Sequence, residues 1–245
     1  MSGVFITASG TDAGKTFVAA GLIRAFRRAG RGVTALTPAV SGFDPATAAG
    51  SDPGVLLTAL RRAVTPAAVA EIAPWRFRAP LSPDMAARLE GRSLDVDALI
   101  GFCREALATA EDLVVIEGVG GVMVPLDDRR TVLDWMTALD LPAVLVCASY
   151  LGAISHALSA LDVLLRHGVK VAALVVSETP GSSVALDETV ATIARFAAPA
   201  AVLALPRAEA AADAVFDRLA GLLRDQGPGR SRRDGASPPG DKTGQ

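Results

Sequence analysis

Aromatic side chains are scarce in this chain, 4% of 245 residues with a single tyrosine, so its interior has to be built from aliphatic groups. That composition suits parallel strands covered by helices, in which buried strands read as continuous aliphatic runs. Cysteine is nearly absent: Cys103 and Cys147 both sit in apolar segments, which excludes a disulfide framework and reads as two small buried hydrophobes. With only two histidines beside them there is no zinc-type ligand cluster. Neither sign of charge dominates, the formal net charge being -2, so nothing marks a nucleic-acid-binding face. The first residues carry no basic segment ahead of a long apolar stretch, so no secretory signal is expected and the reducing cytoplasm fits best. The one long hydrophobic run, Leu141 to Leu165, has the length of a bilayer span. Pro142, Ser149, Gly152, Ser155, His156 and Asp162 interrupt it, and it reads instead as a strand at Ala143–Cys147, a turn, and a helix at Ala153–His167. No membrane partner is expected.

What the chain has in abundance is alternation. Aliphatic runs at Val4–Thr7, Val33–Leu36, Leu113–Ile116, Ala143–Cys147, Val169–Val176 and Ala201–Leu205 read as strands. Helical patterns separate them at Phe17–Ala29, Leu94–Thr109, Ala153–His167, Val184–Phe196 and Ala214–Arg224. The alternation predicts an α/β fold, a doubly wound and mostly parallel sheet with helices on both faces. Ligands of such sheets gather at the carboxyl ends of the strands. One domain is expected over residues 1–225. From 226 to 245 the chain turns to Gly, Pro, Ser, Arg and Asp, the composition of a disordered tail whose Arg230, Arg232 and Arg233 read as solvated. Between Thr37 and Leu94 no convincing strand is found. Ser51-Asp52-Pro53 opens a helix to about Ala63, Ser82-Pro83-Asp84 opens another, and this insert is expected to lie over the active face.

The densest chemical signal is Ala8-Ser9-Gly10-Thr11-Asp12-Ala13-Gly14-Lys15-Thr16, lying between the first strand and the first helix. Backbone N–H groups at a helix N-terminus, reinforced by the helix dipole, make an anion site. Gly14 admits close approach of phosphate, Lys15 reaches the β- and γ-phosphates, and the Thr16 hydroxyl is a magnesium ligand. Asp12, Ala13 and Phe17 flank the triplet and complete this part of the nucleotide site. The loop is a variant of G-x-x-x-x-G-K-T, with Ser9 in place of the first glycine and Gly10 beside it. After the strand Leu113–Ile116 comes Glu117-Gly118-Val119-Gly120-Gly121. An acidic residue closing a strand in a P-loop protein is placed to hold Mg²⁺. Asp52 has two readings, a second carboxylate for that metal or a residue that favours its own helix dipole.

Three segments together resemble dethiobiotin synthetases: Gly-Thr-Asp-x-Gly-Lys-Thr, Pro-x-x-Ser-Gly after the second strand, and Glu-Gly-x-Gly-Gly-x-x-x-Pro-Leu. A fourth, Leu151-Gly152-Ala153-Ile154-Ser155-His156-Ala157, is similar to that family's next motif, and the likeness runs from about residue 3 to 206. The resemblance implies an ATP-dependent ligase that carboxylates 7,8-diaminononanoate with CO₂ and closes the ureido ring, working as a homodimer with Mg²⁺. It implies phosphate binding by Lys15 and Thr16, and magnesium binding by Thr16, Asp52 and Glu117. Thr11 and Ser41 fall at the carbamate and diamine end, with Pro80 and Gly118 near the same substrate. Gly152, Ala153, Ile154 and Ser155 would receive the substrate carboxylate across the dimer interface. Ser177 and Glu178 fall where the family reads adenine, with Pro206 at another edge of the base.

The chain departs from the family at two of these positions. Ser155 stands where family members have asparagine, and Thr37 stands where the family carries a lysine beside the reacting groups. Thr37 cannot supply that charge, and losing one such stabiliser costs about 3–4 kcal/mol. Three readings are left: a slow enzyme, substitution by another cation such as Arg76 or Arg78, or a homologue that binds nucleotide without catalysis. Arg76 and Arg78 read more readily as surface residues flanking a buried Trp75 and Phe77. A partitioning-type ATPase switch is the remaining alternative, but that class carries an extra lysine early in the loop, where this chain has Gly10. His156 reads as a core or capping residue, His167 as a helix C-terminal residue and Trp135 as packing, while Tyr150 has no assigned role.

Overall fold

The computed structural model describes residues 3–110 and 112–225; the expected tail at 226–245 lies outside them. The chain opens with β1 (Gly3–Ala8), α1 (Lys15–Arg28) and β2 (Val33–Leu36). The insert follows: β3 (Ala39–Val40), a 3₁₀ turn at Pro45–Gly50, α2 (Asp52–Ala59), α3 (Pro66–Ile72), β4 (Trp75–Arg76) and α4 (Pro83–Leu89). Next come α5 (Val96–Thr109), β5 (Leu113–Glu117), α6 (Val132–Leu139), β6 (Ala143–Ala148), α7 (Ala153–Arg166), β7 (Val171–Ser177), α8 (Leu186–Ala194), β8 (Ala201–Leu205) and α9 (Glu209–Asp225).

Among the described residues six strands form one sheet in the order β2-β5-β1-β6-β7-β8, and every neighbouring pair is parallel. Every residue of β1, β5 and β6 is buried, so the aliphatic runs are covered on both faces. α1 packs beside α2 and α9, α5 beside α6, and α7 beside α8. The few aromatics do concentrated work in this aliphatic interior: Trp135 meets Phe5 edge-on at 4.8 Å between ring centroids, and Phe17 meets Phe216 at 5.5 Å. The chain leaves β1 toward β2 on one side and later reaches β6 on the other. β1 therefore sits at the switch point of the sheet, where the crevice at the carboxyl ends forms.

The helix and strand types are as the alternation predicts, and the boundaries shift. α1 begins at Lys15 rather than Phe17, α9 begins at Glu209 rather than Ala214, and β5 runs on through Glu117. β7 starts at Val171 rather than Val169, and its register with β6 shifts between Ala143 and Val144. α2 stops at Ala59, four residues short of the expected Ala63. The apolar run at 141–165 divides into β6 and α7 as its interruptions indicate, and no described helix is long and apolar enough to cross a membrane. The expectation of no strand between Thr37 and Leu94 is overturned. β3 and β4 pair in parallel, Ala39 with Trp75 and Val40 with Arg76, in a small second sheet. Two-residue strands are too short to show any periodicity, which is why the sequence hides them. Trp75 itself is only partly buried, against the edge of Phe102, whereas Phe77 is fully enclosed.

Candidate active site

β1 delivers the chain into the loop at 9–14, and the Ser9 N–H donates to the Val146 carbonyl (2.9 Å), pinning the loop to the sheet. Asp12 and Gly14 take positive φ values of 57° and 100°, turning the backbone so that α1 starts at Lys15. Glycine is needed at 14 on two counts, since a Cβ there would also fall 2.9 Å from the Ser177 hydroxyl oxygen. No side chain caps the N-terminus of α1, so its first N–H groups lack an intrahelical or capping partner. Gly14, Lys15 and Thr16, in the loop and first turn of α1, line a cavity of about 700 Å³. An uncapped helix N-terminus with a lysine in its first turn is an arrangement built for phosphate.

The Thr16 hydroxyl lies 2.7 Å from Asp52 Oδ1 and 2.6 Å from Glu117 Oε1, and having one proton it donates to only one of them at a time. Glu117 is 1% exposed, and its second carboxylate oxygen has no partner among the described residues. Burial, together with the charge of Asp52, pushes the Glu117 carboxyl up to about 8, against the opposing pull of Thr16 and Lys15. Two carboxylates around one hydroxyl, one of them buried with an unused oxygen, form a site short of positive charge. The donors are all hard oxygens, and the described residues hold no group of three or more His, Cys, Asp or Glu suited to a metal. Such a set fits Mg²⁺, which takes one or two carboxylates and completes its shell with phosphate oxygens and water. Asp52, read two ways from sequence, thus stands beside Thr16 while also occupying the first turn of α2.

The far end of the same cavity brings in Thr11, Asp12, Ser41, Pro80 and Gly118. The Ser41 hydroxyl oxygen is buried without a hydrogen-bond partner, in a residue that lines the cavity. Gly118 is buried against Phe5, whose ring a Cβ would approach to 2.7 Å, so the loop after Glu117 crosses the sheet closely. Its N–H donates to the Ile6 carbonyl (2.9 Å). Leu81, Ser82 and Pro83 also line the cavity. Sequence reasoning read Ser82-Pro83 only as a helix start and missed that the helix begins at the cavity wall.

Other predicted residues fall elsewhere. Thr37 is 2% exposed, its N–H donates to the Ile72 carbonyl (3.0 Å), and it does not line the cavity. Arg76 and Arg78 do not line it either; both face a second cavity described below. Neither therefore stands in for the missing lysine. Phe17, Ser177, Glu178 and Pro206 lie on the other flank of the loop. Ser177 is buried beside Gly14 with an unpartnered hydroxyl oxygen, and Ala13 is buried under the loop. Arg207, not foreseen, lies over the Phe17 ring at 5.1 Å; its backbone N–H donates to Glu178 Oε2 (2.8 Å) and its Nε to the Glu178 carbonyl (2.9 Å). Only its position one residue after Pro206 could have suggested it. Gly152 to Ser155 form the start of α7 and do not line the cavity within one chain. His156 is exposed rather than buried or capping, and its Nδ1 lies 2.7 Å from the Tyr150 hydroxyl, giving that tyrosine a partner. His167 does close α7, with Nδ1 2.8 Å from the Val163 carbonyl.

A family model described as an AAA domain matches residues 2–214. Curated relatives named ATP-dependent dethiobiotin synthetase BioD include one from Methylobacterium nodulans, 49% identical over 80% of this chain and 90% of the relative. Another, from Caulobacter vibrioides, is 48% identical over 85% of this chain and 94% of its own length. The chain belongs to the ATP-dependent dethiobiotin synthetase family. Among solved structures, the Pyrococcus furiosus cell division ATPase MinD aligns with a TM-score of 0.52 at 16% identity, covering 92% of this chain and 99% of that one. A ParA family ATPase from Chlorobium tepidum aligns with a TM-score of 0.50 at 14% identity, covering 91% of each chain. These two likenesses show the P-loop fold alone. At 47–49% identity to synthetases, the partitioning-type reading is not favoured.

Proposed function

We propose that this synthetase-family chain makes dethiobiotin from 7,8-diaminononanoate, CO₂ and ATP, as an ATP-dependent ligase that forms C–N bonds. The observation that carries the reading is one cavity lined by Lys15, Thr16, Asp52 and Ser41, with the buried Glu117 carboxyl 2.6 Å from the Thr16 hydroxyl just behind its wall. One amine of the substrate adds to CO₂ and loses a proton, giving a carbamate at the Thr11 and Ser41 end. A carbamate oxygen attacks the γ-phosphate, and the bond to the ADP oxygen breaks. The second amine attacks the carbonyl carbon of this mixed anhydride, expels phosphate and closes the ring. No side-chain nucleophile is needed, so catalysis is positioning plus stabilisation of spread negative charge. Lys15 and the bare N-terminus of α1 hold the β- and γ-phosphates, while Ser41 and Thr11 orient the carbamate. Magnesium, held by Thr16, Asp52 and Glu117, would supply charge neutralisation between the phosphates.

Phe17, Ser177, Glu178 and Pro206 form the base end of the nucleotide site in this reading. α7 also starts at a left-handed glycine, Gly152, with no side-chain cap and no acid in its first turn. That N-terminus suits the substrate carboxylate of a second copy. The exposed Leu151 and Met123 beside it, 81% and 55% accessible, suit a homodimer interface. Free, buried cysteines and the small-molecule chemistry fit the cytoplasm.

The test mixes purified protein with diamine, bicarbonate and Mg·ATP and follows dethiobiotin by mass spectrometry, with Thr37→Lys in parallel. Product from the parent chain is expected; product from neither protein would overturn the reading. Thr37→Lys is expected to raise kcat, by up to about 10²-fold, if its ammonium reaches the cavity from this buried position. An unchanged kcat with an unchanged fold would show that the chain works without a cation there.

A further inference from the structure

The insert encloses a second cavity, of about 420 Å³, that shares no lining residue with the one at Lys15. Its apolar wall includes Phe43, Val64, Val69 and Phe77, and its lining carries Arg76, Arg78 and Arg92 against a single acid, Glu90. The acid is already engaged. Glu90 Oε1 accepts from the Arg78 backbone N–H (2.6 Å), and Oε2 accepts from Arg92 Nη1 (3.1 Å). Arg92 lies over the Phe77 ring at 5.0 Å and also donates to the Arg76 carbonyl (3.1 Å). Arg76 lies over the Phe43 ring at 5.6 Å and donates to the Ala73 carbonyl. The Arg78 guanidinium has no hydrogen-bond or ion-pair partner among the described residues. Two arginines are thus held in place on aromatic faces while a third remains free, all around one half-enclosed apolar pocket.

We propose that this cavity binds an alkyl-chain monocarboxylate, with its chain on the Phe43, Val64 and Val69 wall and its carboxylate on the arginines. A bare inorganic anion would leave the apolar wall in water, and a neutral apolar molecule would make no use of the exposed Arg78 guanidinium. A carboxylate on an aliphatic body satisfies both, because the guanidinium fork matches a carboxylate in geometry and charge. The size is within the range of small-molecule sites. The site also borders the catalytic one. The Phe43 N–H donates to the Phe77 carbonyl (2.9 Å) and the Gly42 N–H to the Ala79 carbonyl (3.0 Å), joining the two strips of chain that separate the cavities. Ser41, Gly42 and Pro80 on those strips line the Lys15 cavity, so the two cavities lie on either side of one shared wall.

Two ligands share this chemistry: a medium-chain fatty acid anion, and dethiobiotin itself, a carboxylate at the end of an alkyl chain. Octanoate and dethiobiotin are titrated separately into the full-length protein by calorimetry, alongside Arg78→Glu and Val64→Trp. Both positions lie outside the buried core, and the tryptophan fills the pocket from the loop between α2 and α3. One-to-one binding with a Kd of about 0.1–1 mM is expected. Arg78→Glu should weaken it at least about tenfold, and Val64→Trp should do the same without changing charge. Octanoate alone binding in this Arg78-dependent way assigns the site to acyl anions, dethiobiotin alone assigns it to the product, and both together show the shared chemistry. Saturable binding by neither below about 10 mM, or binding that both variants leave intact, overturns the proposal. The readout needs no turnover, so it stands or falls separately from the synthetase assay.

Discussion

The sheet and the insert wall the same cavity with different materials. On the sheet side the groups are fixed by backbone. Glu117 ends a fully buried strand just behind the wall, and the lining segment that follows is pinned by the Gly118 N–H to the Ile6 carbonyl (2.9 Å) and by the Val122 N–H to the Ala8 carbonyl (3.1 Å). On the insert side they come from two-residue strands and short helices: Ser41 follows β3, Asp52 is exposed at the start of α2, and Pro80 precedes α4. In the proposed reading the sheet side holds the nucleotide phosphates and the insert side faces the diamine. Substitutions on the sheet side should damage every ATP-dependent step, and those on the insert side should discriminate between substrates.

The sharpest break comes from Lys15→Ala. It removes the cation at the phosphates, and we expect no measurable Mg·ATP binding by calorimetry and turnover lowered by about 10³. Retained affinity would dissolve the sheet-side half of the comparison. Glu117→Gln comes next, with metal-dependent turnover lowered by about 10² and the diamine KM unchanged. It has a second readout in the metal-free protein. The Glu117 carboxyl is raised from 4.5 to about 8, so between those values the folded state keeps a proton that the unfolded chain has released. Stability accordingly falls as pH rises through that window, with no contribution from this group to the slope below about 4.5 or above about 8. Urea midpoints measured at pH 5 and pH 8 should fall less in Glu117→Gln than in the parent. Equal falls would mean that Glu117 does not titrate in that range.

The same contrast governs what the sequence discloses. The sheet is legible because β1, β5 and β6 are covered on both faces and must read as unbroken aliphatic runs. Gly14-Lys15-Thr16 is legible because phosphate chemistry dictates residue types at fixed spacing. The insert offers neither regularity. β3 and β4 owe their pairing to contacts between segments far apart in sequence, and two residues cannot alternate. One local signal there was readable: Thr65-Pro66 starts α3, with the Thr65 hydroxyl accepting from the Ala68 N–H (3.1 Å) and proline at the first helical position. Arg76 and Arg78 illustrate the deeper obstacle. Their identities are compatible with a surface, a substitute for lysine, or a separate pocket, and only the path of the insert decides which cavity they face. Arg207 escaped notice for a similar reason, since its place over Phe17 depends on the segment after β8 being brought against the first turn of α1.

The smallest effect tests the link between the two regions. Asp52 and Glu117 share the Thr16 hydroxyl, but Asp52 is exposed and rides on the insert, whereas Glu117 is buried in the sheet. An exposed carboxylate interacts through solvent and is partly screened, so Asp52→Asn should lower magnesium-dependent turnover by only about tenfold, less than Glu117→Gln. Its charge nevertheless contributes to the raised Glu117 carboxyl. Removing that charge makes ionisation of Glu117 easier, so its titration in the metal-free protein should move to lower pH. Carboxyl infrared difference spectra across pH 5–9, with Glu117→Gln to identify the band, would record the shift. A midpoint left in place, with turnover still reduced, would mean that Asp52 acts through the position of α2 rather than through its charge. The two walls would then be coupled by packing alone.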